Sequence, residues 1–469
     1  MGEWVDIPLA TQAGEGQSPF ESDAELTNLM LVPSPPGSPR PFAVMNTPSL
    51  VSAISGSGFI SPLCRTGSGH MFWVQDGALY YTANGSTKTS VGAVNNNSYY
   101  RLTPWGLDTI LLTNLVKTYI ATSSSITEIA PPAGTYVDVM VQDGTAIYPR
   151  YGTDEWYVSA VDDATSIGAL DFSTLDATPD TILGGVTDHR DLILFGYEHA
   201  EFWYNSGDAD FPFVRASPGV IELGVFDIET VAKHSNAVYF LGNDLRVHRL
   251  EGYRPTPVST PWIDRLIRAN TSDKGGSNRA FGTAFTDRGR AYYHLSLGPS
   301  RPTVCLDIEA GLWHRRDYYT DNARVTGAVE YYSSTSGATH IYCAANSAAG
   351  SGAVYKMDEA TYRDSLAGAD TSRVLTCPAV DGGGARMFES EVEICMEKVN
   401  GGSPGTVTFS YSDDGGASYT THGAQSTNQD RIRWTRCGSF YRRIHRFTFA
   451  TNARVAITQV RARLDRGAA

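Results

Sequence analysis

No stretch of the chain approaches the ~18 apolar residues of a membrane-spanning helix. It has no CxxC pair. The six cysteines (Cys64, Cys305, Cys343, Cys377, Cys395 and Cys437) lie far apart, which argues against a zinc site and for reduced, mostly buried thiols. The ten histidines show no HxxxH or HExxH spacing, so a zinc hydrolase is not supported, and neither a Walker loop nor GxGxxG is present. The opening MGEWVDIPLATQ lacks a basic n-region and an apolar h-region, so no secretory signal is expected. Asp6 stands where myristoylation needs Ser or Thr. Basic charge is also scarce. Lys and Arg number 37 against 50 Asp and Glu, a net charge of −13. A non-specific nucleic-acid binder is ordinarily basic, so DNA binding from free solution is disfavoured, although an acidic protein can surround DNA without gripping it. These absences predict a soluble protein made in a cytoplasm, with no metal and no cofactor.

What is present is a long chain of short apolar strands. Its 469 residues exceed what one compact core organises, so two or more domains are expected. Hydrophobic residues are 41% and charged residues 19%, a globular balance, and 46 Gly with 25 Tyr and 18 Phe fit an all-β protein rich in turns. The segment 191–204, DLILFGYEHAEFWY, carries the pattern: an apolar strand, a tight turn at 196–200, and an aromatic strand in return. Variants recur at 70–81 and 137–148, each with an Asp-Gly turn (Asp76-Gly77 and Asp143-Gly144), the strongest short hairpin signal. Further copies lie at 109–121, 237–250, 290–313 and 340–355. That is about seven units spaced by roughly 37–53 residues, near the period of propeller blades. Closing such units into a ring protects most strand edges. The expected fold is a six- or seven-bladed β-propeller over 51–386. The alternative is a pair of β-sandwiches.

Residues 1–50 read as an extended arm, because Pro33, Pro35, Pro36, Pro39 and Pro41 exclude a helix or a central strand. The apolar runs 29–32 and 44–50 predict that the arm packs on something. One helix is predicted over 261–268, with Pro261 at its start, Trp262, Ile263, Leu266 and Ile267 on one face and an Asp264–Arg268 pair. A Lys274-Gly275-Gly276 loop follows. Asp381-Gly382-Gly383-Gly384 marks a boundary. Beyond it, residues 387–469 read as a small β-sandwich of about five strands. Residues 431–466 hold ten arginines, no lysine and one acid, Asp465. Arginine in preference to lysine points to planar contacts with carboxylate or phosphate. The candidate docking residues are Arg431, Arg433, Arg436, Arg442, Arg443 and Arg446. A solvated face, an acidic protein partner and DNA phosphate remain open as what they meet.

Several motifs resemble chemistry without its context. Gly401-Gly402-Ser403-Pro404-Gly405 matches GxSxG, but a strand follows where the nucleophile elbow needs a helix. Residues 412–419, SDDGGASY, resemble the Asp-box hairpin, whose carboxylate satisfies turn amides. A glycosidase needs two opposed carboxylates, and Asp162-Asp163 and Asp208-Ala209-Asp210 qualify by composition only. Aromatics interleave with arginines at 431–434 and 440–443. That pattern fits a single-strand stacking platform or, more simply, a sandwich core. No catalytic residue is expected.

The order of features resembles the packaged-DNA stabilisation protein, or tail hub (nozzle), family of short-tailed phages. The resemblance rests on 192–213 (LILFGYEHAEFWYNSGDADFPF), on the helix and strand within 258–297, and on the C-terminal run from FESEVEI through RIRWTRCGSFYRRIHRFTFA. The family's Arg-Trp-x-Arg-x-Gly-x-x-Arg-Arg pattern falls on Arg433, Trp434, Arg436, Gly438, Arg442 and Arg443, with one extra residue before the arginine pair. At 46–49, Ser49 stands where the family's Thr-Pro-Gly turn has glycine. The resemblance implies a non-enzymatic virion protein of the tail. It implies a homo-hexamer below the portal and its adaptor ring, a needle or plug, tail fibres or spikes, and DNA passing without sequence-specific binding or membrane insertion. A negative lumen would repel the DNA backbone, and the basic strands would dock on an acidic adaptor. The second reading is a carbohydrate-binding or carbohydrate-cleaving propeller acting as a receptor-binding protein. Trp73 and Trp203 would be its glycan contacts.

Overall fold

The computed structural model describes residues 2–9, 25–34, 37–38, 40–95, 99–177, 179–208, 210–271, 279–298, 301–317, 324–346, 352–362, 372–397 and 404–467. In the hairpin at 191–204, the strands Asp191–Phe195 and Ala200–Asn205 pair with Leu192 opposite Trp203 and Ile193 opposite Phe202. Side chains alternate between the two faces of a strand. Ile193, Phe195 and Phe202 enter a core shared with Val238, Phe240 and Leu250 of the following unit. Leu192, Leu194 and Trp203 enter another, with Ile147, Trp156 and Val158 of the preceding unit. Burial on both faces is why these strands read as unbroken apolar runs rather than alternating ones.

Seven four-stranded antiparallel units follow one another among the described residues: 64–93, 101–129, 140–174, 184–221, 232–257, 281–316 and 324–358. The last is completed by Ser49–Ile54, which adds beside Gly352–Asp358. Met71 and Trp73 of the first unit share a core with Tyr331, Tyr342 and Val354 of the last, so the ring closes. The first strands of successive units lie against one another along a central axis. This is a β-propeller. Asp76 and Gly77 both take positive φ (51° and 71°), as do Asp143 and Gly144, the geometry of a type I′ hairpin turn.

The helix spans Pro261–Asn270. Thr260 caps it, accepting from the Ile263 amide, and Pro261 occupies the first turn. Ile263 and Ile267 are fully buried against Tyr239, Tyr293, Leu295 and Val304, between the fifth and sixth units. The predicted Asp264–Arg268 pair is corrected. Asp264 is buried, accepts from the Ser259 hydroxyl and pairs with Arg246 at 3.2 Å. The 274–276 loop lies outside the described residues.

At the C-terminal end two sheets pack face to face. In one, Met387–Met396 lies between Arg431–Phe440 and Ala456–Arg466. In the other, Arg442–Ala450 lies beside Thr406–Ser412, which pairs in turn with Thr420–Ser426. Val392, Ile394, Ile432, Trp434 and Val460 from the first share a core with Val407, Phe409, Phe447 and Phe449 from the second. The N-terminal segment is woven into both sheets. Glu3–Ile7 and Phe42–Asn46 pair with Ala456–Arg466, and Leu29–Pro33 pairs with Phe42–Asn46. Glu25–Thr27 bridges antiparallel to Arg373–Thr376 and, through Thr27 opposite Arg315, parallel to Leu312–Arg316 of the sixth unit. That bridge makes one sheet continuous from the propeller into the C-terminal pair of sheets.

Candidate assembly interface

The C-terminal arginines have their acids on the neighbouring strand. Met387–Met396 carries glutamates at 389, 391 and 393, in the middle of its sheet. The register shifts between Glu389 and Glu391 against both neighbours, with Ser390 the extra residue against Ala456–Arg466 and one extra residue between Thr435 and Gly438 on the other side. Glu389 therefore points into the core while the next two face outward.

Glu389 is enclosed. It accepts from Arg443 Nη1 at 2.9 Å and lies 2.7 Å from His445 Nε2. Burial would raise its carboxyl, but His445 and Arg443 outweigh burial and hold it below the usual range. Arg443, 2% exposed, also grips Asp413 bidentately at 2.7 Å through Nε and Nη2. It donates to the Cys437 carbonyl and lies 3.8 Å over the Tyr411 ring. Arg443 was expected at a docking surface. The fold instead places it in the interior, where a guanidinium requires this many acceptors.

Outward, Glu393 has a fully covered side chain. It accepts from Arg433 Nε at 2.5 Å and Arg461 Nε at 2.8 Å, with the Cys395 thiol at 3.3 Å. Burial would raise its carboxyl, but these donors hold it low. Arg433 and Arg463 both approach Glu391, at 3.7 and 3.8 Å. Trp4 of the N-terminal strand covers Arg461, whose guanidinium lies 4.5 Å from the ring. Arg446 donates to the Thr376 hydroxyl and stacks 3.4 Å over Tyr419, and Arg442 is half-buried. Arg431 and Arg436 are exposed, and no ion pair among the described residues engages either. Arg436 holds φ at +61°, next but one to Gly438 at +88°. Of the six candidates, then, Arg433 and Arg443 meet acids of their own chain, and Arg431 and Arg436 stand outward.

The other motifs resolve as structure. Trp434 is buried, its indole N–H donating to the Gly423 carbonyl, so it offers no stacking platform. Trp73 and Trp203 are core residues rather than glycan contacts. Asp414 accepts from the Ser412 and Ser418 hydroxyls and the Ser418 amide, which hold it well below the carboxylate range, as the Asp-box requires. Asp163 and Asp208 accept from nearby groups at Thr165 and Asp210. Gly401, Gly402, Ser403 and Ala209 lie outside the described residues. The six cysteines form no disulfide, and five are buried. Among the described residues no cluster of His, Cys, Asp or Glu is arranged to hold a metal ion.

A ring of four-stranded units joined to a two-sheet β domain, stitched by its own N-terminus, defines a β-propeller protein with an added C-terminal domain. The chain belongs to the phage-stabilisation family described as "Bacteriophage P22 Gp10, beta-propeller", whose model matches residues 26–362. It is therefore a phage protein of the packaged-DNA stabilisation class. No curated protein sequence matches it. Among solved structures, streptogramin B lyase overlaps at 10% identity and a TM-score of 0.45, covering 66% of this chain and 97% of that one. BamB from Moraxella catarrhalis overlaps at 11% identity and 0.38, covering 70% and 94%. The computationally designed Ika8 protein overlaps at 10% and 0.42, covering 66% and 100%. These are distant likenesses.

Proposed function

We propose that the chain is the tail hub, or nozzle, of a short-tailed phage. It assembles as a hexameric ring below the portal and adaptor, retains the packaged genome and seats the needle and fibres. The observation that carries this reading is the family match over 26–362. The charge supports it: a chain with net −13 lets the DNA backbone slide past without adhesion. A ring of this kind closes through head-to-tail interfaces between unlike surfaces. It assembles in the host cytoplasm and works without catalysis. Arg431 and Arg436 are the docking residues for an acidic adaptor surface, where charge sets register and encounter rate more than affinity.

Virions labelled with an antibody to this chain and classified by electron microscopy should show sixfold density in a collar between the portal vertex and the tail tip. Label on peripheral fibres, or none on virions, refutes the reading. In a pull-down with the adaptor, Arg431→Glu combined with Arg436→Glu should abolish binding while leaving the melting temperature unchanged.

A further inference from the structure

Near the propeller axis the first strands and the segments leading into them bring charged side chains from four units together. Arg101 of the second unit pairs bidentately with Asp138 at the start of the third, at 3.0 and 3.1 Å, and reaches Glu229 ahead of the fifth at 3.2 Å. Arg279, ahead of the sixth, lies 3.8 Å from Glu229, with its guanidinium 4.4 Å over the Tyr99 ring. These contacts cross the axis, so the cluster forms a floor. Above it is a cavity of about 250 Å³, lined among others by Asp227, Arg279, Phe226, Tyr99, Tyr151 and Tyr197.

One group in this cavity has an unmet requirement. Asp227 is 5% exposed. Its Oδ1 accepts from the Glu229 amide and the Ala280 amide also approaches the carboxyl, while its Oδ2 has no partner within hydrogen-bond distance. No ion pair among the described residues reaches it, although nearly every buried carboxylate oxygen has a donor. The cavity therefore calls for a ligand group such as a hydroxyl, which donates to the carboxylate and accepts from the protonated carboxyl, since burial pushes Asp227 up to about 7. Its volume lies below the about 300–1,000 Å³ of drug-sized sites, so it suits a single ring or one side chain.

Charge balance decides between a cation and a neutral donor. Asp138, Asp227 and Glu229 face Arg101, Arg279 and Arg324, three acids against three bases, and Arg324 is near enough to Asp227 to feel its charge. A further cation would have to be buried beside three guanidinium groups, an unfavourable placement. A hydroxylated neutral ring donates to Asp227 and accepts from Arg279 without disturbing this balance. Tyr151 and Tyr197 are 57% and 40% exposed at the rim, where their faces can cover the apolar side of such a ring.

We infer that the axial mouth of the propeller binds one neutral sugar residue of a glycan, through Asp227 and Arg279 beneath a Tyr151–Tyr197 rim. This goes beyond the hub reading and is independent of it: virion position tests the one and ligand binding the other.

Saturation-transfer NMR on the full chain, with glucose, galactose, rhamnose and N-acetylglucosamine as separate probes, tests it. Nα-acetyl-lysine amide serves as the cation control. At least one sugar should receive saturation, and Tyr151→Ala should weaken its binding tenfold or more. Asp227→Asn, which keeps the side chain's shape, should also weaken it, with unchanged circular dichroism in both variants. The inference is overturned if no sugar receives saturation, if only the lysine amide does, or if neither variant changes the signal.

Discussion

Arg433 and Arg443 sit on successive strands of one arginine-rich stretch, yet burial gives them different energetics. Arg443 is buried with Glu389 and Asp413, and removing one partner strands the others away from water. Arg443→Ala should cost about 3–5 kcal/mol, read as a lower urea midpoint. Arg433 is half-exposed, and Arg433→Ala should cost less than about 1 kcal/mol. Titration divides the acids similarly. The carboxyls of Glu389 and Glu393 are held low, so their contribution is full above the unfolded value of about 4.3 and is lost as pH falls through the folded value. Asp227 behaves oppositely. Burial first, then Glu229, pushes it up to about 7 against the pull of Arg279. Arg324 is near enough to feel its charge, and Tyr99 lines the same cavity. Its contribution is therefore full below the unfolded value of about 3.9 and is lost as pH rises through about 7. Melting temperature against pH should fall on both sides. Glu389→Gln should flatten the acid limb and Asp227→Asn the alkaline one. An unchanged profile in Asp227→Asn would show that the carboxyl titrates normally.

Among the elements, Ser49–Ile54 has the largest consequence for its length. These six residues, about 300 positions from their partner strand, complete the last unit of the ring. Leu50 is fully buried there with Val325, Ile341, Cys343 and Met357. Leu50→Ala should cost about 2–5 kcal/mol, measured by denaturant unfolding. A cost below about 1 kcal/mol would mean that this strand does not hold the ring shut. The hairpins were the most legible elements, because Asp-Gly at 76–77 and 143–144 states its own turn geometry. The Ser235-Asn236 turn, with φ of 50° and 60°, has the same backbone sign without glycine and is correspondingly quieter in sequence. The glutamate alternation in FESEVEI was visible too. That those acids meet the arginines downstream was not, because strand order in a sheet is not written along the chain.

For the whole molecule, the axial ion pairs have a direct consequence. Arg101, Asp138, Glu229 and Arg279 cross the propeller axis, so this axis is not a passage for DNA. On the proposed hub reading, the DNA channel would therefore lie between subunits. With a net charge of −13, the free chain should not shift duplex DNA in a gel at physiological salt. A shift that disappears at higher salt would refute this and point to the Arg431–Arg436 surface.

The amino-acid sequence by itself determined the all-β class, the repeating hairpin unit, a helix at 261–268 that the structure extends to Asn270, and the family, because local residue patterning and turn chemistry act over a few residues. Only the tertiary structure decided which arginines are internal, how the N-terminus closes the ring and joins the two-sheet domain, and where Asp227 comes to lie. Each of these depends on groups tens to hundreds of residues apart brought within a few ångströms. Burial then sets whether a charge is a surface contact or a structural requirement.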